Sequence, residues 1–226
     1  MDILKQLRHG LIVSCQAKTG SPLRDSKMMA AMARAAEQAG AAGIRADGPA
    51  DIAAIRAVVK IPIIGIYKQE LPGTDVYITP TLESAQAVIA AGADLVALDA
   101  TVRPRPGDVT AADMIRLCQT ELGIPVMSDV STVAEGITAA EAGADLVATT
   151  LVGYTLYSHH LSPPNFELIR ELVLAMATPV VVEGHISTPA EARRALDLGA
   201  YAVVVGAAIT QPDQITRHFV DAMQAS

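Results

Sequence analysis

Two rhythms of apolar and polar positions run along the chain. The first is a set of Ala-rich stretches, KMMAAMARAAEQA, TLESAQAVIAA, TVAEGITAAEA and TPAEARRALDL. Their apolar residues recur three and four apart, the period of an amphipathic helix. The second is a set of short apolar bursts. GAAGIRA begins at Gly40, GADLVAL at Gly92, GADLVAT at Gly143 and GAYAVVV at Gly199. Each follows one of the helical stretches, so its glycine suits a helix C-terminus and its apolar run a strand buried on both faces.

These copies recur at intervals of roughly fifty residues. Between them lie LIVSCQ from Leu11, IPIIGIYK from Ile61, IPVMSD from Ile124 and TPVVVEG from Thr178. The last three carry a proline at their start, where it removes one ladder donor at most. PADIAAIRAVVK, TAADMIRLCQTEL and NFELIRELVLAM supply the helices before them. Interleaved, the two sets give eight strands alternating with helices, which implies parallel pairing through right-handed crossovers. An open doubly wound sheet would share that alternation. Even spacing over eight units favours closure, so the expected fold is α/β, a single (β/α)₈ TIM barrel with a closed parallel eight-stranded sheet. Residues 1–226 read as one catalytic domain, and VGYTLYSHHLSPPN after the sixth strand is the longest candidate for a lid.

Composition agrees. Hydrophobic residues make up 51% of the chain and aromatics 3%, so the core must be built from small and branched aliphatic side chains. The formal net charge of −7 argues against a nucleic-acid footprint or an anionic membrane surface as partner. No stretch approaches the roughly 20 apolar residues of a membrane span, and the start lacks a secretory apolar run. A cytoplasmic protein is the expectation. Cys15 and Cys118 have no metal-ligand spacing and read as reduced, in a strand and a helix respectively. A homodimer is an open expectation, since barrels of this size often pair and the final helix could contribute.

In a barrel of this kind chemistry collects at the carboxyl ends of the strands. Those ends read Gln16, Arg45 with Asp47, Lys68, Asp99, Asp129, Thr150, Glu183 and Gly206. Long charged groups of both signs converging on one mouth are costly unless paired or used. Lys68 shares its face with Ile64 and Ile66, so one strand face ends in an amine. Such an amine can serve as base or Schiff-base nucleophile, or simply close an ion pair. Glu183, in phase with Val181, is a proton carrier or the orienting partner of Lys68. Arg45 and Asp129 suit substrate positioning, with a helix N-cap as the alternative for Asp129. Gln16 could bond a substrate or loop backbone, and Asp99 near Arg103 suggests a local ion pair. Gly184, Gly206 and Ala207, at the ends of the last two strands, offer the close backbone approach that holds phosphate in many barrels. Thr210, ahead of Pro212, reads as a cap. His159 and His160 have no carboxylates beside them, and no nucleotide-loop or zinc spacing occurs. No metal and no cofactor are therefore expected.

The strings GLIVSCQA, GIRADGPADI, GIYKQ, TPTLES, MSDVSTVAEG, TTLVGYT and VVEGHISTPAEA together resemble the N-acylglucosamine-6-phosphate 2-epimerases, also called N-acetylmannosamine-6-phosphate 2-epimerases, over about Gly10 to Ile215. The resemblance implies interconversion of N-acetylmannosamine 6-phosphate and N-acetylglucosamine 6-phosphate in amino-sugar catabolism, by removal and return of the C2 proton. It implies that Lys68 is the essential lysine, Glu183 its partner carboxylate, and Gln16, Arg45 and Asp129 the lining of the sugar site. Two departures stand out. The family commonly has arginine where this chain has His185, and GSAITRP where it reads GAAITQP, so Ala207 lacks a hydroxyl and Gln211 a cation at the presumed phosphate cradle. Competing readings are a lysine Schiff-base aldolase of the same fold and a non-catalytic sugar-phosphate-binding barrel.

Overall fold

The computed structural model describes residues 2–224. Eight strands, β1 (Leu11–Cys15), β2 (Gly43–Asp47), β3 (Ile63–Ile66), β4 (Leu95–Asp99), β5 (Val126–Asp129), β6 (Leu146–Ala148), β7 (Val180–Glu183) and β8 (Ala202–Val205), pair in parallel in sequence order. The ring closes where Leu11, Ile12 and Val13 of β1 register with Val203, Val204 and Val205 of β8. The closed (β/α)₈ barrel expected from the repeat is the fold observed.

Around it lie α2 (Ser26–Gln38), α3 (Pro49–Arg56), α4 (Leu82–Ala90), α5 (Ala111–Leu117), α6 (Val133–Glu141), α7 (Phe166–Ala175) and α8 (Pro189–Asp197). The helix α1 (Ile3–Leu7) precedes β1, and the short α9 (Ala207–Thr210) and long α10 (Pro212–Gln224) follow β8.

Because successive strand residues face opposite ways, the apolar bursts fill two cores at once. Ile12, Ile64, Ile66, Leu95, Met127, Val181 and Val204 pack inside the ring. Val13, Ile44, Ile63, Val96, Val126 and Val147 pack outward against the helices. The recurring Gly-Ala has a local cause. Gly40, Gly92, Gly143 and Gly199 all take left-handed φ between 94° and 106°. The alanine after each donates its amide five residues back, as Ala93 does to the Val88 carbonyl at 3.1 Å. This is the Schellman ending, in which glycine avoids the steric penalty of positive φ. The strand-opening prolines keep their carbonyls in the ladder, with Pro62 accepting from the Ile44 amide at 2.9 Å.

Some details differ from the sequence reading. No local pattern announced α1, which plugs the amino-terminal end of the barrel with the fully buried Leu7. A Cβ on Gly43 would come within 2.6 Å of the end of the Leu7 side chain, so the plug packs directly over a position without a side chain. Cys118 lies in a π-helical turn (Cys118–Leu122) that continues α5. Thr210 does not cap α10; it is buried, and its hydroxyl donates to the Ser14 carbonyl at 2.8 Å. No helix among the described residues is long and apolar enough to cross a membrane.

Candidate active site

Arg45 is the third residue of β2 and points into the ring, where only 1% of it is exposed. Its Nη2 donates to Asp129 Oδ2 at 2.5 Å and its Nη1 to Asp129 Oδ1 at 3.1 Å, a two-pronged grip on the last residue of β5. The same Nη1 reaches Thr150 Oγ1 at 3.2 Å and ion-pairs with Glu183 at the end of β7. Thr150 passes its own proton to Asp129 Oδ1 at 2.7 Å and sits 3.2 Å from Glu183 Oε2. Burial opposes the charge on Arg45, but Asp129 and then Glu183 outweigh it, so the guanidinium holds its proton more tightly than a free one. The N-cap alternative for Asp129 falls away, because Thr132 caps α6.

Glu183 is less well served. Burial pushes its carboxyl above the ordinary carboxylate range and Asp129 adds to this, against the opposing pull of Arg45. One guanidinium faces two carboxylates, and Asp129 takes the larger share. The backbone of Glu183 is fixed independently: Thr149 Oγ1 accepts from its amide at 3.0 Å and donates to its carbonyl at 2.8 Å.

Lys68 lies two residues beyond β3, on a loop that folds back against itself. Gln69 donates its amide to the Tyr77 carbonyl and Thr79 to that of Tyr67, both at 2.9 Å, bracketing a bridge between Lys68 and Ile78. Thr79 is fully buried at φ 47°; its hydroxyl accepts from the Tyr67 amide at 3.1 Å and donates to the Ala97 carbonyl at 2.7 Å. Asp47 Oδ1 accepts from the Lys68 amide at 2.9 Å. The backbone under the amine is thereby held from β2 through Asp47 and from β4 through Thr79 and Ala97. The amine donates to Gln16 Oε1 at 2.6 Å, and Gln16 Nε2 donates to Ser14 Oγ at 2.9 Å.

The Lys68 side chain is exposed in the open mouth, while its amine is ringed by protein below the rim. That crowding lowers its proton affinity; Asp47 opposes the shift, Arg45 adds to it, and Glu183 and Asp129 oppose it more weakly. Lys68 and Glu183 feel each other's charge across the mouth but make no direct bond, because each is held by another partner. The structure thus brings Gln16, Arg45, Lys68, Asp129 and Glu183 to one end of the barrel, in two clusters.

Gly184 follows Glu183 at φ 114°, and His185 after it is also left-handed, at φ 55°. His185 Nε2 lies 2.6 Å from the hydroxyl of Tyr154, which comes from the loop after β6. Gly206 follows β8 and Ala207 opens α9; the Ile209 and Thr210 amides both donate to the Gly206 carbonyl at 2.9 Å, and the Ala207 and Ala208 amides at its start have no intrahelical acceptor. Asp99 is occupied by Arg103 and by the Thr101 amide and hydroxyl, at 3.0 and 2.7 Å, as the local reading expected. His159 bonds the Leu156 carbonyl, and no cluster of three or more His, Cys, Asp or Glu able to hold a metal occurs among the described residues. The sequence reading passed over Ser14, Thr79 and Tyr154. Ser14 could have been found from its parity with Ile12 and Gln16; the other two have no local signal.

Comparison with known proteins bears on the family and the fold. The family model described as "NanE: Putative N-acetylmannosamine-6-phosphate epimerase" matches residues 29–225. A relative from Caldanaerobacter subterraneus is 52% identical over 97% of this chain and 93% of its own, and one from Thermosynechococcus vestitus is 47% identical over 100% and 98%. Both are named "Putative N-acetylmannosamine-6-phosphate 2-epimerase". The solved N-acetylmannosamine-6-phosphate 2-epimerase of Clostridium perfringens superposes with a TM-score of 0.94 at 45% identity, covering 98% of this chain and 96% of that one. A thiamine phosphate pyrophosphorylase from Pyrococcus furiosus, at 16% identity and a TM-score of 0.62, shares the fold alone. With matches running along nearly its whole length, this chain belongs to the NanE family of N-acetylmannosamine-6-phosphate epimerases.

Proposed function

We propose that the protein interconverts N-acetylmannosamine 6-phosphate and N-acetylglucosamine 6-phosphate by moving the proton at C2. The observation that carries this reading is the pairing, in one barrel mouth, of an amine with lowered proton affinity and a carboxyl with raised proton affinity. In the open-chain sugar the C1 aldehyde acidifies the C2 proton. One of Lys68 and Glu183 takes that proton as base, and the other, arriving protonated, returns one to the opposite face. After turnover the two groups have exchanged protonation states, and solvent resets them. Both directions need a base and an acid of comparable strength, which is what opposite shifts from their ordinary values provide.

Arg45 supplies the fixed positive charge beneath the site where the enediolate forms. It is already oriented by Asp129, so it need not reorganise as charge develops. Gln16 can accept or donate at sugar hydroxyls and the Asp129 carboxylate can accept from them, and Gln16 also aims the Lys68 amine. The amides at Gly184, Gly206 and Ala207 form the phosphate end, where His185 and Gln211 replace the family's cations.

The test is proton NMR of N-acetylmannosamine 6-phosphate with the enzyme in heavy water. The expected result is appearance of N-acetylglucosamine 6-phosphate with deuterium at C2, and its absence with Lys68→Met. Native-like turnover by Lys68→Met, or product that keeps its C2 proton, defeats the mechanism. An aldolase is separated by borohydride, which would trap substrate on Lys68 only if a Schiff base forms.

A further inference from the structure

The loop that carries Lys68 brings a second side chain to the mouth. Tyr77 lies on its returning arm, and the ring packs against the apolar core inside the barrel. The backbone around it is held from several directions. The Tyr77 carbonyl accepts from the Gln69 amide at 2.9 Å and the Ile78 carbonyl from the Asp99 amide at 3.0 Å. Arg103 Nη1 donates to the Asp75 carbonyl at 3.0 Å and Arg105 Nη1 to that of Pro80 at 3.3 Å. Arg103 is itself fastened to the end of β4 through Asp99. Such anchoring fixes where the ring stands, which is what a recognition residue needs.

The hydroxyl, by contrast, is committed to nothing. Gln16, Arg45, Lys68, Asp129, Thr150 and Glu183 all bond other protein groups in the mouth, whereas the Tyr77 phenol has no partner among the described residues. Burial makes it hold its proton more tightly than a free phenol; Asp129 adds to this, Arg103 opposes it, and Asp99 and Arg45 act more weakly in the two directions. It is therefore a hydrogen-bond donor at any pH where the barrel mouth works. The charges it feels also give its place. It stands between the ends of β2, β4 and β5, across the closed ring from the glycines that follow β7 and β8.

In the reading proposed above, on which this inference rests, the phosphate sits by those glycines and C2 lies between Lys68 and Glu183. The acylamino group branches from C2, at the end of the substrate remote from the phosphate, so it projects toward β4 and β5. We propose that Tyr77 recognises this acyl group, its hydroxyl donating to the amide carbonyl and its ring limiting the length of the acyl chain. The substrate class is thereby narrowed to mannosamine 6-phosphates with short N-acyl groups, and their epimers.

The test compares mannosamine 6-phosphates carrying N-acetyl, N-propanoyl and N-butanoyl groups on the native enzyme and on Tyr77→Phe, Tyr77→Leu and Tyr77→Ala. The native enzyme should prefer the acetyl compound. Tyr77→Leu and Tyr77→Ala remove the wall, so the ratio of kcat/KM for butanoyl over acetyl should rise by about tenfold or more. A ratio compares two substrates on one preparation, so partial unfolding of a variant cancels from it. Tyr77→Phe keeps the wall and loses the donor. Its ratio should stay native while KM rises about fivefold for every member and kcat changes little, as for a bond kept from ground state to transition state. An unchanged ratio in the truncated variants, or a native KM in Tyr77→Phe, overturns the proposal; if the truncations lose all activity, the Tyr77→Phe constants decide. A native enzyme that epimerises none of the series defeats the C2 reading itself. One that epimerises the acetyl compound with a ratio no variant moves defeats only the role of Tyr77.

Discussion

Arg45 must satisfy two carboxylates with one guanidinium, and the division is unequal. Asp129 receives both Nη groups and the Thr150 hydroxyl, leaving Glu183 one guanidinium arm in a buried setting. The sequence placed both carboxylates at strand ends but could not pair them, because Arg45 reaches partners 84 and 138 residues away. Parity told which way the side chains point, and only closure of the ring told which of them meet. The unequal division has a consequence for pH. Below the pKa of Glu183 both Lys68 and Glu183 carry a proton and no base remains; above that of Lys68 neither does and no acid remains. The kcat/KM profile should therefore be a bell whose acid limb lies above 4.5 and whose alkaline limb lies below 10.5, since burial moves each group inward from its ordinary value. A sugar phosphate ionises at about 6 in the same window. Glu183→Gln separates the two causes: in its residual activity, reduced by about 10² or more, only the substrate's limb should persist. An acid limb unmoved in this variant would assign it to the substrate and remove Glu183 from proton transfer.

The loop between β3 and α4 carries Lys68 and is built around a threonine that touches nothing in the mouth. Thr79 ties the loop to β4 by giving its proton to Ala97 while accepting from Tyr67, one residue before the amine. The sequence ITPTLES announces the start of α4 but not this strap, because its partners lie on other elements. Elements with local causes were legible: Gly-Ala endings and strand-opening prolines act within a few residues. Elements fixed by distant contacts, such as α1 beneath the barrel, were not. Thr79→Val keeps the volume and removes both hydrogen bonds, leaving buried groups unpaired at a cost of about 1–3 kcal/mol. Its melting temperature should fall by roughly 2–4 °C for each kcal/mol lost, on the scale of a protein this size. As a positioning residue, Thr79 should affect kcat by about tenfold or more with KM little changed, because a misplaced amine weakens the transition state rather than substrate binding. Thr79→Ser should restore most of the rate. A valine variant with lowered stability and native kcat would leave Thr79 a purely structural role.

At the scale of the whole molecule, the repeated half-unit made the barrel readable. A helix followed by glycine and a buried strand is a local instruction, and eight such units at even spacing have one compact closed solution. Closure also fixes how the site should fail. The candidate residues come from β1, β2, β3, β5, β6 and β7 or the positions just beyond them, and Arg45 joins three of these strands through one buried cation. Loss of β2 leaves Asp129 and Glu183 without their guanidinium, and loss of β5 takes from Arg45 its two-pronged partner, so each leaves a buried charge under-compensated, which is strongly unfavourable. The mouth therefore has no independent way to melt while the ring persists, unlike a site carried on a single lid. Loss of epimerase activity in urea should coincide with loss of far-ultraviolet circular dichroism, at the same midpoint and steepness for a given protein concentration. Activity that disappears at clearly lower urea, with the dichroism still native, would show that the Lys68 loop opens on its own and that ring closure alone does not hold the site together.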